Sequence, residues 1–497
     1  MSSLKHKDYF DKFFFKIKIK TMKNLLFIVV IIFTANLTQA QWGADVRLTN
    51  DPAVSAAATS GGIASNVDSI HVVWYDERDG NREIYYKRST DGGQTWGADT
   101  RLTTNDSVSK NPAIAISGSY VHIVWDDKRD GNREIYYKRS TDGGTTWGGD
   151  IRLTNATDIS YCPGIAVSGS NVHIIWTDLR DGNGNKDIYY KFSTDGGITW
   201  GNDTRITNDA AMSYNTSISV SGSNVHFIWE DTRDGNREIY YKRSTDGGLN
   251  WGTDTRLTNN SSVRFLPTLA VSGSNLYIVW NDYRNGNYEI YFKHSADAGL
   301  TWGADTRLTN AAGNSWWATV AASASGVHIA WHDDRNSNAE IFYMYSLDEG
   351  LSWSSDTLLV NNSATMSERP SIALSGSAVH LNWQDKRDGP NGEIYYKRNP
   401  TGNFIGIKES DYVKNDINIY PNPASDNITI SFSNTELSNI SISIFNSLGI
   451  EIKRFDEKEL LGKSAINFST ESFPSGVYYC TLNYGTKKIS RSFVVLR

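Results

Sequence analysis

Apolar and polar residues alternate in short runs along most of the chain, and tight-turn sequences separate the runs. One stretch shows the pattern in full, with runs at Ala113 to Ile116, Val121 to Trp125, Glu134 to Lys138 and Trp147 to Leu153. Ser-Gly-Ser, Asp-Gly-Asn and Asp-Gly-Gly stand between the runs, and such turns supply the positive φ of a tight hairpin. The pattern predicts four antiparallel strands joined by hairpins.

This four-strand unit repeats along the chain. A motif of the form apolar-x-x-Trp-x-Asp-x-Arg occurs seven times, with tryptophans at positions 74, 125, 176, 229, 280, 331 and 383. Successive tryptophans are 51 to 53 residues apart. Four antiparallel strands in a repeat of this length are typical of a β-propeller blade. We therefore predict an all-β fold in which each repeat is one blade.

The two ends of the repeat array complement each other. The seventh unit stops at Lys397-Arg398-Asn399 without the strand that should follow. The segment Gln41 to Thr49 matches Thr301 to Thr309 and supplies the missing strand. We expect the first strand to complete the last blade and to close a seven-bladed ring, which removes two exposed sheet edges.

A second motif, Ser-x-Asp-x-Gly-x-x-Trp, occurs six times, for example over Ser89 to Trp96. Its aspartates are Asp91, Asp142, Asp195, Asp246, Asp297 and Asp348. The carboxylate of such a residue accepts N–H groups of its own hairpin, the glycine takes the positive φ, and the tryptophan packs beneath the turn. A box that recurs in nearly every blade cannot mark one catalytic site, so we interpret these aspartates as structural.

The repeated boxes resemble those of the sialidase-type Asp-box (BNR) propellers over roughly residues 42–399. The resemblance implies that the boxes lie on the hairpins between third and fourth strands, opposite the face that carries the active site in that family. It also makes a glycoside hydrolase a candidate function, with three arginines, a Tyr–Glu pair and an acidic proton donor as the expected machinery. The chain has no Arg-Ile-Pro segment near its N-terminus, which that family commonly uses for its first arginine.

The N-terminal residues indicate export. Met22-Lys23-Asn24 precede the apolar run Leu25 to Phe33 and the small-residue cleavage site Thr38-Gln39-Ala40. The run is shorter than the roughly 20 apolar residues that span a bilayer. We interpret residues 1–40 as an N-terminal extension and signal peptide, with the true start at Met22 and the mature chain starting at Gln41. The propeller is expected over 41–400 and a linker over 401–416.

Residues 417–497 carry a different strand pattern with proline-set turns, which predicts a small β-sandwich. The ordered set Tyr420-Pro421-Asn422-Pro423, Leu448-Gly449 and Pro474 to Tyr478, followed by a basic final strand, resembles the type A sorting domain of the type IX secretion system. That resemblance implies a Bacteroidota protein whose partner is the secretion machinery. The product would be secreted, either released or attached to the outer-membrane surface, with no transmembrane segment in the mature chain.

The hairpins between second and third strands are near copies that each offer an acid, an arginine and an amide, as in Asp76 to Asn81. Their arginines are Arg78, Arg129, Arg180, Arg233, Arg284, Arg335 and Arg387. Because arginine makes bidentate hydrogen bonds, one interpretation is a ring of binding sites for sugars or carboxylates. The other is a hairpin held by its own Asp–Arg pair. An arginine in the middle of the loop opposes calcium, and we predict neither a metal nor a cofactor.

The loops that lead into the first strands vary most between repeats. Aligned on the preceding Thr-Asn, the first column reads Ala56, Lys110, Tyr161, Tyr214, Phe265, Trp316, Glu368, and the second Ala57, Asn111, Cys162, Asn215, Leu266, Trp317, Arg369. Of the 16 tryptophans, only Trp316 and Trp317 belong neither to a repeated motif nor to the closing strand. Flat aromatic side chains suit sugar rings and protein partners, and packing between blades is the alternative.

The net charge of the chain and the breaks in its internal symmetry limit the classes of function that fit it. The net charge of −6 is made of interspersed acids and bases, which does not favour nucleic acid. A catalytic centre should break the internal symmetry with unique polar residues, whereas these columns break it mostly with aromatic ones and with the one charged pair Glu368-Arg369. We therefore expect a secreted or surface-displayed module that binds glycan or a protein ligand on the face opposite the Asp boxes. An exo-sialidase or other glycoside hydrolase and a structural or adhesion component are the alternatives.

Overall fold

The computed structural model describes residues 42–58, 61–182, 184–260, 264–361, 365–402, 417–432, 440–446, 450–460, 463–484 and 487–496. The predicted signal peptide, Gln41, the linker beyond residue 402 and the predicted Leu448-Gly449 lie outside these residues. The described residues form two compact units, one within 42–402 and one within 417–496. No helix in the described part of the chain is long and apolar enough to cross a membrane.

The described residues of the first unit form seven antiparallel sheets and the turns that connect their strands. We number them 1 to 7 in the order of their motif tryptophans, from Trp74 in sheet 1 to Trp383 in sheet 7. In sheets 1 to 6 the strands pair in chain order, so that hairpins join neighbouring strands. This is the pairing that the alternation of apolar runs and Gly-rich turns predicts.

The strand bounds repeat closely from sheet to sheet. The first strands are Ser55–Ala57 with Ile63–Asn66, then Ser109–Ser117, Ser160–Ser168, Ser213–Ser221, Arg264–Ser272, Ser315–Ser323 and Ser367–Ser375. The second strands are Ser69–Asp76, Tyr120–Asp130, Asn171–Asp178, Asn224–Asp231, Asn275–Asp282, Gly326–Asp333 and Ala378–Asp385. The third strands are Glu83–Ser89, Asn132–Ser140, Asp187–Ser193, Glu238–Ser244, Glu289–Ser295, Glu340–Ser346 and Glu393–Asn399. The fourth strands are Thr100–Arg101, Ile151–Arg152, Thr204–Arg205, Thr255–Arg256, Thr306–Arg307 and Thr357–Val360, with Val46–Arg47 in sheet 7.

Each second strand is buried on both faces. Successive side chains of a strand point to opposite faces, so Ile123 packs with Val73 of sheet 1 while Val124 packs with Ile174 of sheet 3. The motif tryptophans lie in the same clusters and are almost completely buried. The unit therefore has a series of apolar layers between successive sheets, which explains why these strands read as continuous apolar runs.

The ends of the array meet at sheet 7. Val46 lies opposite Tyr396 and Arg47 opposite Tyr395, so the most N-terminal described strand pairs with the third strand of sheet 7. The first strands of successive sheets lie against each other, and the first strand of sheet 7 also contacts Ile63–Asn66 of sheet 1.

The Asp boxes join neighbouring sheets. In sheet 3, Asp195 accepts hydrogen bonds from the backbone N–H groups of Ile198 and Thr199 at 3.0 and 2.9 Å. The hydroxyl of Thr199 donates to the same carboxylate, and these hydrogen bonds hold the pKa of Asp195 well below its usual range. The box tryptophan, Trp200, packs edge-on against Tyr137 of sheet 2 with 4.9 Å between ring centroids. The box thus caps its own hairpin and contacts the preceding sheet.

The second unit consists of two sheets around one core. Ile417–Tyr420, Asn427–Phe432 and Ala465–Ser469 form one sheet, and Glu451–Phe455, Ile440–Phe445, Gly476–Tyr484 and Lys487–Val495 form the other. Helix Glu457–Leu460 lies in the connection between the sheets. Ile428 and Ile430 of the first sheet pack with Ile442 and Leu482 of the second. The two sheets therefore pack face to face, as in a sandwich.

Candidate functional site

The variable loops and the arginine hairpins lie at the same end of the sheets. Ser109, which begins the first strand of sheet 2, is opposite Asp127, and Asp127 is opposite Glu134 across the next pairing. At the other end Val121 is opposite Ser140, where the Asp box begins. We call the end that carries the starts of the first strands and the second-to-third hairpins the entry face.

The predicted arginines of the hairpins are bound within their own sheets. Arg233 donates from Nε and Nη2 to the carboxylate of Asp231 at 2.8 and 2.6 Å, and from Nη1 to Asp254 at 2.8 Å. Its guanidinium also lies 4.4 Å from the ring centroid of Tyr240. The same pairing with an aspartate two residues earlier occurs at Arg78, Arg129, Arg180, Arg284, Arg335 and Arg387. These guanidinium groups therefore hold the hairpin and the fourth strand together.

Two of the predicted aromatic residues belong to one contiguous cluster on the entry face. The ring centroid of Tyr288 lies 4.8 Å from Phe265 and 4.9 Å from Trp316, and Phe265 and Trp316 are 6.0 Å apart. Tyr283 extends the group, 4.8 Å from Tyr288. We call Phe265, Tyr283, Tyr288 and Trp316 the aromatic cluster. Phe265 and Trp316 are half-buried, and Tyr283 is exposed to 44%.

Trp317 points elsewhere because the strand bulges at this position. Its φ is +51°, and the pairing of the first strand with the second shifts between Trp316 and Thr319. The side chain lies 5.8 Å from the ring of His332, and the guanidinium of Arg369 lies 5.3 Å from its ring centroid. The ring of Trp316 also lies near His332, 6.5 Å away, but a bulge redirects the side chain that it carries, so the other neighbours of the two tryptophans differ.

The remaining predicted aromatics lie among cations. Lys186 Nζ is 5.1 Å and Arg237 Cζ is 5.4 Å from the ring centroid of Tyr214. Tyr161 is half-buried, and burial raises the pKa of Tyr161 to about 12. The five predicted aromatic residues are thus divided between the aromatic cluster, the Trp317–His332 contact and a more polar part of the entry face.

The residue after each motif tryptophan also breaks the internal symmetry, at a position outside the two variable columns. The seven sheets carry Tyr75, Asp126, Thr177, Glu230, Asn281, His332 and Gln384 at this position. Each lies directly opposite the first variable column, as in the pairs Lys110–Asp126, Tyr214–Glu230, Phe265–Asn281 and Trp316–His332. Asp126 and Glu230 are charged breaks in the repeat in addition to the pair Glu368-Arg369 of the variable columns. The residue between Trp and Asp of the motif varies from repeat to repeat in the sequence, and this variation could have indicated the position.

Glu230 is buried and bridges two sheets. Asn215 Nδ2 donates to Glu230 Oε1 at 2.7 Å, and the backbone N–H of Leu266 in sheet 5 donates to the same oxygen at 2.7 Å. The other oxygen has no hydrogen-bond partner among the described residues, and Arg237 Nη1 lies 3.8 Å from it. Burial raises the pKa of Glu230 to about 7, against the smaller effect of these hydrogen bonds.

Asp126 repeats this arrangement between sheets 2 and 3. It accepts from Asn111 Nδ2 at 2.7 Å and from the backbone N–H of Cys162 at 3.3 Å, and Arg133 Nε is 3.8 Å away. Burial raises the pKa of Asp126 to about 6. Both carboxyl groups therefore exchange protons near neutral pH, a property that general acids share. The described residues contain no cluster of three His, Cys, Asp or Glu side chains suited to a metal ion.

The comparisons with known proteins identify the second unit. Residues 418–496 match the family of secretion system C-terminal sorting domains. This part of the chain is a C-terminal sorting domain, which confirms the prediction from its Tyr-Pro-Asn-Pro and Pro-Ser-Gly-Val-Tyr segments. No curated protein matches the chain.

Several solved structures resemble the chain in fold. The polysaccharide lyase Uly1 has a TM-score of 0.50 at 10% identity, and the match covers 72% of this chain and 99% of the lyase. The phage phi92 endosialidase has a TM-score of 0.47 at 12% identity, with 91% of this chain and 87% of that protein covered. The Hadza microbial sialidase Hz136 has a TM-score of 0.41 at 14% identity, with 68% and 74% covered. At these identities the likeness concerns the all-β, propeller-like fold alone.

Proposed function

We propose that this protein is an exported binding module that recognises glycan on the entry face of a closed seven-bladed propeller. The sorting domain implies secretion or cell-surface attachment. An N-terminal signal peptide over residues 22–40 fits this route. The first unit is then exposed outside the cell.

The ring is supported by the contacts at the ends of the array. Val46–Arg47 pairs with the third strand of sheet 7, and Arg47 Nη2 donates to the buried carboxylate of Glu393 at 2.6 Å. The first strand of sheet 7 also touches the first strand of sheet 1. We infer that each sheet is one blade and that the N-terminal strand closes the ring by covering the edge that the third strand of sheet 7 would otherwise expose.

The aromatic cluster carries the proposal of glycan binding. Three rings from sheets 5 and 6 pack on one another at the entry face, where the chain departs from its own repeat. Phe265, Tyr288 and Trp316 are held by these contacts, so that little side-chain freedom is lost when a ligand binds. Flat, half-buried aromatic faces offer apolar area to the C–H face of a sugar ring, and the tyrosine hydroxyls offer hydrogen bonds at the edge. We assign the hairpin arginines a structural role instead.

The test is a glycan-array screen of the full chain, followed by calorimetric titration with the strongest neutral hits. We expect Trp316→Ala and Tyr288→Ala each to weaken binding by about tenfold or more, as is usual for central aromatic contacts. Tyr120→Ala is the matched control, since Tyr120 is 42% exposed at the opposite end of sheet 2. Binding that survives both cluster variants, or no binding to any glycan, would contradict the proposal and favour a purely structural role.

A second candidate function is glycoside cleavage, and the Tyr214–Glu230 pair favours it. The two side chains are cross-strand neighbours, and burial together with the Glu230 carboxylate raises the pKa of Tyr214. A carboxyl group with a pKa of about 7 holds a proton that it can donate at neutral pH. Turnover of fluorogenic sialosides or other aryl glycosides by the full chain, abolished in Glu230→Gln, would establish this function. Absence of turnover across such a panel would exclude it for those substrates.

A further inference from the structure

One position of the entry-face hairpins carries cations only in sheets 1 to 4. The residue that follows the hairpin asparagine is Arg82, Arg133, Lys186 and Arg237 in sheets 1 to 4, and Tyr288, Ala339 and Gly392 in sheets 5 to 7. Lys110, in the first variable column of sheet 2, adds a fifth cation. We call Arg82, Lys110, Arg133, Lys186 and Arg237 the cationic arc. It ends where the aromatic cluster begins, because sheet 5 contributes Tyr288 in place of a cation.

Aromatic rings and carboxyl groups position these cations without enclosing them. Arg82 lies over the ring of Tyr75, with 5.2 Å from Cζ to the ring centroid, and Lys186 and Arg237 both lie near the ring of Tyr214. The side chains of Arg82, Arg133 and Arg237 are 41%, 35% and 44% exposed. Their charged ends are therefore within reach of a ligand on the entry face.

The carboxyl groups nearest to the arc lie at different distances from its arginines. Arg82 pairs with Glu77 at 2.8 Å, whereas Arg133 and Arg237 lie 3.8 Å from the carboxyl groups of Asp126 and Glu230. Those two carboxyl groups are buried and already accept hydrogen bonds from an asparagine and from the next sheet.

Lys110 lies close enough to two cations of the arc to be affected by their charges. Burial is the largest cause that lowers the pKa of Lys110; the charges of Arg133 and Arg82 lower it further, and the charge of Asp126 raises it. An oxyanion bound between neighbouring cations offsets their mutual repulsion. Charge-assisted hydrogen bonds to a carboxylate or sulfate are also about twice as strong as neutral ones.

We propose that the cationic arc binds a polysaccharide that carries several carboxylate or sulfate groups, and that the aromatic cluster holds sugar rings of the same chain. This inference rests on the proposed glycan-binding function and names its ligand class. Cations on four successive sheets suit repeated charges along a polymer better than the single charge of one terminal sugar. A polysaccharide is favoured over nucleic acid because the protein as a whole carries a net charge of −6 and its basic residues are concentrated only locally.

The experiment compares calorimetric titrations of the full chain with heparin, polygalacturonate and the neutral polymer dextran at low and high salt. We expect heparin or polygalacturonate to bind at least tenfold more tightly than dextran at low salt and to lose that advantage at high salt. Lys186→Gln/Arg237→Gln should lower the affinity for the anionic polymer at least tenfold. The control Arg454→Gln/Lys458→Gln removes the same charge from exposed positions of the second unit and should leave that affinity within twofold.

The outcomes separate this inference from the proposed function. Equal binding of neutral and anionic polymers, lost in Trp316→Ala, would overturn the arc and leave glycan binding standing. An equal loss in the arc variant and in its control would overturn the arc as well, since it would show a nonspecific charge effect. Tighter binding of a single-stranded oligonucleotide than of either anionic polysaccharide would overturn the ligand class. Anionic binding that is lost in the arc variant and unchanged in Trp316→Ala would support the arc and contradict the aromatic site.

Discussion

Glu230 in sheet 4 accepts a hydrogen bond from the backbone N–H of Leu266 in sheet 5, 2.7 Å away. Leu266 has a φ of +54°, and the bulge that it forms turns its N–H toward the neighbouring sheet. The same link joins Asp126 to Cys162, and His332 Nδ1 accepts from the N–H of Arg369 at 3.3 Å. Every second junction between sheets 2 and 7 thus uses a buried titratable group as acceptor for the bulge.

The pH dependence of stability follows from Glu230. Its pKa is raised from 4.5 to about 7 in the folded protein, so its contribution to stability is fully present below about pH 4.5 and is lost as the pH rises through about 7. Glu230→Gln keeps an acceptor oxygen for Asn215 and Leu266 but does not ionise. Relative to the wild type, the variant should gain on the order of 3 kcal/mol in free energy of unfolding between these pH values.

Urea unfolding of both proteins at several pH values between about 4.5 and 8 measures this difference. Asp126→Asn tests the assignment, because its pKa of about 6 should move the change to a lower pH window. A difference between Glu230→Gln and the wild type that does not vary with pH would show that Glu230 ionises normally.

Two adjacent glycines in one Asp box should differ in their tolerance of alanine. A Cβ on Gly248 would lie 1.9 Å from the hydroxyl oxygen of Tyr190 in sheet 3, whereas a Cβ on Gly247 would meet nothing within 4 Å. Both residues have positive φ, so both substitutions carry a backbone cost of about 1–2 kcal/mol. Gly248→Ala should cost about 1–3 kcal/mol more, because it overpacks the contact between sheets. Denaturant unfolding measures the free energy of unfolding of both variants. Equal losses in the two variants would show that Gly248 does not pack against Tyr190.

Substitution of a hairpin arginine should affect folding and spare ligand binding. Arg233→Gln leaves the fully buried carboxylate of Asp231 without its bidentate partner. Breaking such a pair costs about 3–5 kcal/mol. We expect a loss of this order in the free energy of unfolding, with glycan affinity unchanged once the fraction of folded protein is taken into account. A reduced glycan affinity with an unchanged free energy of unfolding would instead show that these arginines take part in ligand binding.

The closing strand can be tested by removing it. A mature chain that starts at Asp51 lacks Arg47 and Thr49, both of which donate hydrogen bonds to the buried carboxylate of Glu393. The loss of these partners and the open edge of sheet 7 should lower the free energy of unfolding by about 3–5 kcal/mol relative to a chain that starts at Gln41. Denaturant unfolding measures this loss, and size-exclusion chromatography should show association through the free edge. Equal stability would mean that the N-terminal strand does not close the ring.

Much of the architecture was predictable because it is local. The contacts that these patterns predict lie within one hairpin or between adjacent strands. They recur from repeat to repeat, as the apolar runs around Trp125, the Gly-rich turns and the box at Asp195 show. The repetition made the predicted strand pattern more certain, because the strands assigned in one repeat apply to the matching residues of the others. The sorting domain was predictable for a similar reason, because its short turn sequences occur in a fixed order.

The candidate site was only partly predictable. Phe265 and Trp316 stood out in the variable column, but the contact of both with Tyr288 depends on how sheet 5 packs against sheet 6. Trp317 follows Trp316 in the sequence, and both rings lie near His332. Trp317, which has the positive φ of the bulge, lies near Arg369, whereas Trp316 contacts Phe265 and Tyr288. No spacing rule distinguishes these two neighbours.

The sequence by itself therefore determined the four-strand repeat, the structural Asp boxes and the exported, sorted character of the protein, because each rests on residues close together in the chain. Only the tertiary structure showed that the hairpin arginines form ion pairs with the aspartates of their own hairpins. It also placed Glu230 opposite Tyr214 and within 3.8 Å of Arg237. The physical reason is that packing between sheets joins side chains some 50 residues apart, and burial then sets their charge and their hydrogen-bond partners.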